Sequence, residues 1–283
     1  MPVIPIIDTH LHLWDPQYIR YPWLDDNELL NRPHLLSDFD AARASIPVEA
    51  MVFVQCEADS SMFMQEAEWV STLARNESRL KGLVAWAPLE NGSAVRENLK
   101  ALRCHSILRG IRRIIQFEPD LDFCLRPDFV EGVRALADFD LSFDICIDHR
   151  HMANVLQFVE KVPEVPMILN HIGKPNIKDG VIQPWGKQIK ELARFPNVHC
   201  KISGVATEAD HKNWSPDQLR PYIDIALESF GMDRVMYGGD WPVSTQAIEY
   251  KRWIDTLDDV LQGVDEADQR KFWRENAVQF YRL

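Results

Sequence analysis

Histidines and a carboxylate stand at the ends of three short apolar runs, and those residue types at those places can do chemistry. The first run closes with Asp8, Thr9, His10, Leu11 and His12. Residues two apart on extended backbone project to one side, so both imidazoles face a common point. Two neutral imidazoles converging there suit a metal ion or an oxyanion, and the competing assignment is a pair of capping histidines at a loop start. A second run ends Ile168, Leu169, Asn170, His171. An imidazole there would be costly inside a core but useful at its rim. The third ends Tyr237, Gly238, Gly239, Asp240, Trp241, Pro242. Its glycines let the backbone approach neighbours closely, and the proline stops the strand with Asp240 at the rim.

Something must bring these ends together. Strand-like runs recur at 3–8, 50–55, 81–87, 108–112, 141–147, 166–170, 198–203 and 234–238, with helical patterns between them. MVFVQ, GLVAWA and FDICI are apolar at consecutive positions, as strands buried on both faces of a parallel sheet are. Phe63, Ala67, Val70 and Ala74 recur at helical spacing, as do Leu219, Ile223, Ala226, Leu227 and Phe230 before Gly231. Ser37 is expected to precede a helix, Pro127 to open one and Asp265 to cap the last. No linker splits the chain, and neither GxGxxG nor a Walker loop is present. The pattern predicts one α/β domain over residues 1–283, a (β/α)8 barrel of the TIM type. In such a barrel reactive groups sit at the C-terminal strand ends, and the first and last strands are neighbours. The segment 9–36, with three prolines and two tryptophans, is expected as a long loop over that face.

Composition narrows the partners. The 283 residues carry 43 Asp and Glu against 31 Lys and Arg, a net charge of −12, with 46% hydrophobic residues. That is an ordinary globular balance with no basic cluster, so nucleic acid is not an expected partner. No run approaches the ~18 apolar residues of a membrane span. The opening MPVIPIIDTH lacks a basic stretch and its apolar run stops at Asp8, so no signal peptide is expected. Cys56, Cys104, Cys124, Cys146 and Cys200 form no CxxC pair and read as buried thiols of a cytoplasmic protein. No apolar patch can be assigned to an oligomeric interface.

The motifs DTHLHLW, NHIGKP and GGDWPV resemble the first-, sixth- and eighth-strand motifs of the amidohydrolase superfamily. More narrowly they resemble its branch of L-fuconolactonases, L-rhamnonolactonases and 2-pyrone-4,6-dicarboxylate lactonases. RGIRR (109–113), KISG (201–204) and ENAVQFY (275–281) extend the likeness along almost the whole chain. The resemblance implies a distorted barrel, cytoplasmic carbohydrate metabolism and hydrolysis of the ester bond in a small cyclic substrate, a sugar lactone. Many superfamily members hold a metal with a Lys or His at the end of the fifth strand. Here that strand runs Phe143 to His149, with Asp148 and His149 on alternate sides. Either no cofactor is required, as in some lactonases, or one divalent metal, zinc, sits on His10, His12 and Asp240.

In this reading Asp240 is the general base, and His10, His12 and His171 face the carbonyl oxygen. Trp14 and Trp241 lie within two residues of those groups, and with Arg112 and Asp148 they are expected to bind a sugar ring. A dicarboxylate lactone would want two convergent arginines, which Arg112 and Arg113 do not supply because they alternate sides. A pyrone-dicarboxylate-type lactonase, a metal-dependent decarboxylase and a non-catalytic sugar-binding barrel are the alternatives. Lys174 is either a substrate contact or a loop cation. Trp23 and Trp214 are expected in loop packing, and His34, His105, His151, His199 and His211 as solvated or capping residues.

Overall fold

A computed structural model of the chain describes residue 2 and residues 4–283. Its strands are β1 (Ile6–Leu11), β2 (Val48–Val54), β3 (Leu80–Ala85), β4 (Leu108–Ile111), β5 (Ser142–Ile145), β6 (Met167–Leu169), β7 (Val198–Ile202) and β8 (Val235–Tyr237). They run parallel in that spatial order. Helices α1 (Leu36–Arg43), α2 (Phe63–Ala74), α3 (Val95–Leu102), α4 (Pro127–Arg134), α5 (Met152–Lys161), α6 (Trp185–Leu192), α7 (Pro216–Phe230) and α8 (Tyr250–Val260) follow one strand each. The short α9 (Glu266–Arg270) and α10 (Asn276–Tyr281) end the chain. This is a (β/α)8 barrel, and the continuous apolar runs are its strands because each strand buries both faces. Among the described residues no helix is long and apolar enough to cross a membrane.

Local signals mostly act where the sequence places them. Pro127 opens α4, and Asp265 caps α9 by accepting from the Asp268 N–H at 2.9 Å. Ser37 does not precede its helix. α1 starts at Leu36, and Asp38 closes the end by accepting from the Leu35 N–H at 2.8 Å. The expected start of the first strand at Val3 lies outside the described residues. β1 continues past Asp8 to Leu11 because Leu11 finds β2 on one side and Trp241 on the other.

Individual hydrogen bonds close the seam between β1 and β8. The Asp240 N–H donates to the His10 carbonyl at 2.7 Å, and the His12 N–H donates to the Trp241 carbonyl at 2.8 Å. The Thr9 hydroxyl donates to the Tyr237 carbonyl. Buried Asp8 accepts from the Gly239 N–H at 2.8 Å and from the Tyr250 hydroxyl of α8 at 2.9 Å. A Cβ on Gly239 would stand 2.4 Å from the Asp8 carboxylate, so only glycine fits there.

The far end of the barrel is filled by the C-terminus. Phe280 and Tyr281 pack among Ile7, Ala50, Val52, Val84 and Met236, and the His199 ring lies 4.7 Å from that of Phe280. His199 is therefore a packing residue rather than a solvated one. His34, His105 and His151 are likewise buried, at 3%, 6% and 0% exposure, because loop and helix contacts cover them. His211 is exposed. All five thiols are free, with Cys104 exposed and the other four buried.

Glu66 on α2 is the odd carboxyl of this core. It is buried and accepts the Cys56 N–H at 3.1 Å at the end of β2. Burial pushes its pKa from 4.5 up to about 7. An acid raised in the folded state contributes its full stability below the unfolded value and loses it as pH rises through the folded one. The difference corresponds to about 3 kcal/mol between pH 4.5 and 7. Glu66→Gln should therefore gain on the wild type as pH rises from 5 to 8, by roughly 5 °C in Tm. A melting difference that is flat over this range would contradict the assignment.

Candidate active site

Four groups predicted from the strand ends converge at one mouth of the barrel. His10 is the penultimate residue of β1, His12 lies just beyond it, His171 follows β6 and Asp240 follows β8. Asp240 Oδ1 stands 3.7 Å from His10 Nε2, 3.5 Å from His12 Nε2 and 3.9 Å from His171 Nε2. His12, His171 and Asp240 line a cavity of about 130 Å³ with Trp14, Arg112 and Lys174. Gly204 makes the crowding feasible. Its φ is +56°, and a Cβ there would meet His171 Nδ1 at 2.5 Å and Asp240 Oδ2 at 2.8 Å.

Protonation follows from the partners. The Val54 carbonyl, 2.7 Å from His12 Nδ1, can only accept, so that nitrogen carries the hydrogen. The lone pair on His12 Nε2 then faces Asp240. Ser203 Oγ accepts the His171 N–H at 3.3 Å and lies 3.0 Å from His171 Nδ1, so its hydroxyl can donate there and leave Nε2–H toward Asp240. Burial pushes all three imidazoles down, His171 to about 3, so they are neutral at physiological pH. Burial alone would raise Asp240. Attraction to the facing His171 and to Lys174 outweighs it and holds the carboxyl below the usual range. The site is an ionised carboxylate ringed by neutral imidazoles.

Beneath the histidines lies a buried ion pair that motif spacing did not reveal. Lys201 Nζ of β7 donates to Asp144 Oδ2 of β5 at 2.6 Å and lies 3.5 Å from His10 Nδ1. Asp144 also accepts from Asn170 at 2.9 Å and from the Tyr281 hydroxyl at 3.2 Å. A charged residue inside the strand-like runs FDICI and VHCKI is the signal that could have found this pair. Removing either partner leaves an uncompensated buried charge, at a cost of about 3–5 kcal/mol.

Other expected residues separate. Arg112 is buried in the site, with Nη1 3.2 Å from His10 Nε2 and Nη2 donating to the Gln55 carbonyl. Trp14 lines the cavity and ties down the long loop by donating to the Leu30 and Arg32 carbonyls. Trp23 also lines it, donating to the Cys56 carbonyl at 2.7 Å, so it is more than loop packing. Lys174 lines the cavity too and pairs with Glu208 at 3.6 Å.

Trp241 and Asp148 do not line it. Trp241 packs edge-on against His34 and at a tilt against Phe39 of α1, because the seam turns its side chain outward. Asp148 lies beyond the end of β5, so strand alternation no longer applies; it caps the turn His149–His151, binds Arg150 and lines a separate cavity. Trp214 packs under Arg252, as expected for a loop residue. Cys56 and Cys146 line the site, but burial pushes both thiols up, so neither is poised as a thiolate nucleophile.

The donor set suits a cation. His10, His12 and Asp240 offer ligand atoms within 4.8 Å of one another. A tetrahedral zinc with bonds of ~2.0–2.1 Å needs ligand atoms ~3.3 Å apart, close to the 3.5 and 3.7 Å separations from Asp240. The lone pairs of His12 Nε2 and Asp240 Oδ1 face each other across 3.5 Å, which a cation or a proton donor between them would relieve.

Comparison with known proteins decides the family. The amidohydrolase model matches residues 7–283. The chain belongs to the amidohydrolase family. An L-fucono-1,5-lactonase of Burkholderia ambifaria is 30% identical to this amidohydrolase, covering 98% of this chain and 95% of its own. An L-rhamnono-gamma-lactonase of Scheffersomyces stipitis is 24% identical over 98% of both chains. The crystal structure of an amidohydrolase from Burkholderia multivorans with bound zinc superposes with a TM-score of 0.90 at 28% identity, covering 99% of each chain.

Gly204→Ala tests whether the packing of His171 against Asp240 matters. The added methyl must displace one of them, so hydrolytic turnover should fall at least tenfold, with Tm lower by a few degrees. Turnover within twofold of wild type would show that their present spacing is not required.

Proposed function

We propose that this amidohydrolase opens the ester bond of a small sugar lactone by attack of water. The observation that carries the reading is the ionised Asp240 carboxylate, with Oδ1 within 3.5–3.9 Å of three neutral imidazoles at the cavity. Lactone opening needs a base for water, stabilisation of the tetrahedral oxyanion and a proton for the departing ring oxygen. Asp240 takes a proton as the water oxygen bonds to the carbonyl carbon. His171 Nε2–H donates to the developing oxyanion. When the ring carbon–oxygen bond breaks, Asp240 returns the proton to that oxygen, and the product is the open hydroxy acid.

The lactonase names of the relatives support this reaction class. The aromatic faces of Trp14 and Trp23 suit the apolar faces of a sugar ring, and Arg112 closes the polar side. Arg113 is committed to Glu90 and Glu118 outside the cavity, so the site lacks the second arginine that a dicarboxylate would want.

His10, His12 and Asp240 would hold one divalent ion, zinc by the nature of the donors, which would supply Lewis acidity and lower the pKa of water. The zinc-bound structure of the Burkholderia multivorans relative supports that assignment.

Two measurements test the reading. Asp240→Asn should lower kcat on an aldonolactone by at least ~10²-fold in a pH-indicator assay. Near-normal turnover would remove Asp240 from the role of base. Purified protein should carry close to one zinc per chain by mass spectrometry, and His12→Ala should carry much less. Zinc-free protein that keeps full turnover in chelator would overturn the metal assignment and leave the imidazoles acting directly as donors.

A further inference from the structure

Among the described residues, eight non-glycine residues have φ between +46° and +54°, and four of them (Glu57, His171, Lys174 and Asp240) line the cavity at the barrel mouth. Backbone in this region costs free energy for a non-glycine residue and persists where surrounding structure holds it. His171 and Asp240 are already placed in the reaction, and Lys174 follows them in the NHIGKP turn. Glu57 comes from a different part of the chain, just after β2, and the reaction does not use it.

Its carboxylate is held in place. Gln55 Nε2 donates to Glu57 Oε1 at 2.7 Å, and the Glu57 N–H donates to Gln55 Oε1 at 2.6 Å. Gln55 is fully buried and is itself clamped to Arg112, donating to its carbonyl at 3.3 Å and accepting from its guanidinium. Among the described residues no hydrogen bond reaches Glu57 Oε2. A fixed carboxylate with one free oxygen, on the wall of a polar cavity, is an acceptor for hydroxyl groups.

The cations of the wall already have partners. Arg112 serves Gln55 and His10, and Lys174 faces Glu208 at 3.6 Å. With Asp240 ionised, a further carboxylate on the substrate would meet two negative groups and no uncommitted positive one.

We propose that Glu57 is a specificity-determining residue that accepts ring hydroxyls and selects a neutral polyhydroxylated lactone over unhydroxylated or carboxylated ones. This rests on the lactonase reading and names the substrate feature that the site reads. A charged acceptor lost from such a contact lowers affinity by about tenfold to hundredfold.

Glu57→Gln keeps an amide oxygen for Gln55 and removes the charge. The test compares wild type and variant on a six-carbon aldono-1,5-lactone and on δ-valerolactone, the same ring without hydroxyls. It also measures calorimetric binding of the corresponding hydrolysis-resistant lactams. The ratio of kcat/KM for the hydroxylated over the bare lactone should fall at least tenfold, through KM, and aldonolactam affinity should fall in parallel. Relative activity on a carboxylate-bearing lactone should rise. A ratio unchanged within twofold, with wild type opening the aldonolactone, overturns the role of Glu57 and leaves the lactonase reading standing. Aldonolactam binding that depends on Glu57 without turnover of either lactone overturns the lactonase reading and leaves Glu57 standing. Neither turnover nor binding by the wild type overturns both. If the Gln variant melts early, Glu57→Gly, which relieves the backbone, carries the same comparison.

Discussion

The whole site depends on how the barrel closes. β1 and β8 meet through the hydrogen bonds from Asp240 to His10 and from His12 to Trp241, and His10, His12 and Asp240 are the groups proposed to act on the substrate. Because backbone bonds fix Asp240 against His10 and His12, the carboxylate and two imidazoles come into register as the barrel shuts. Asp8 and Gly239 tighten the same seam one layer below. A residue of any size at Gly239 would push the carboxylate away from its partners.

Below the seam the interior is layered, and each layer sets the state of the next. Phe280 and Tyr281 fill the far end with apolar bulk. The Tyr281 hydroxyl reaches Asp144, Asp144 neutralises Lys201, and Lys201 stands beneath His10. Burial and the adjacent Lys201 keep His10 neutral, and the neutral imidazoles in turn surround an ionised Asp240. Phe280 and Tyr281 therefore act at a distance from the mouth, by filling the far end of the barrel and steadying the ion pair. Above the histidines, Trp14 and Trp23 of the long loop wall the cavity, so the loop contributes the apolar face that a small ring needs.

The eight strands were legible because consecutive apolar residues have one cheap explanation, burial on both faces of a parallel sheet. The histidines and Asp240 were legible because polar groups at strand ends are costly anywhere but a rim. Asp148 was misplaced because β5 stops at Ile145, and counting alternate sides beyond a strand end has no meaning. Trp241 was misplaced because nearness in sequence to Asp240 ignores that the seam directs its ring toward His34 and Phe39. Glu57 depends on left-handed backbone, which no residue type at that position announces. The pair between Lys201 and Asp144 was hidden by distance, since 57 residues separate two charges that only the closed barrel brings together.

The central claim is that one small space holds the water, the carbonyl and the groups that act on them. A crystal structure of the protein with a hydrolysis-resistant aldonolactam tests it most directly. The account predicts the lactam carbonyl oxygen within hydrogen-bonding distance of His171 Nε2, and a water on Asp240 within reach of the carbonyl carbon. A lactam bound instead in the cavity beside Asp148, Lys178 and Lys212, with the Asp240 mouth filled only by solvent, would contradict it.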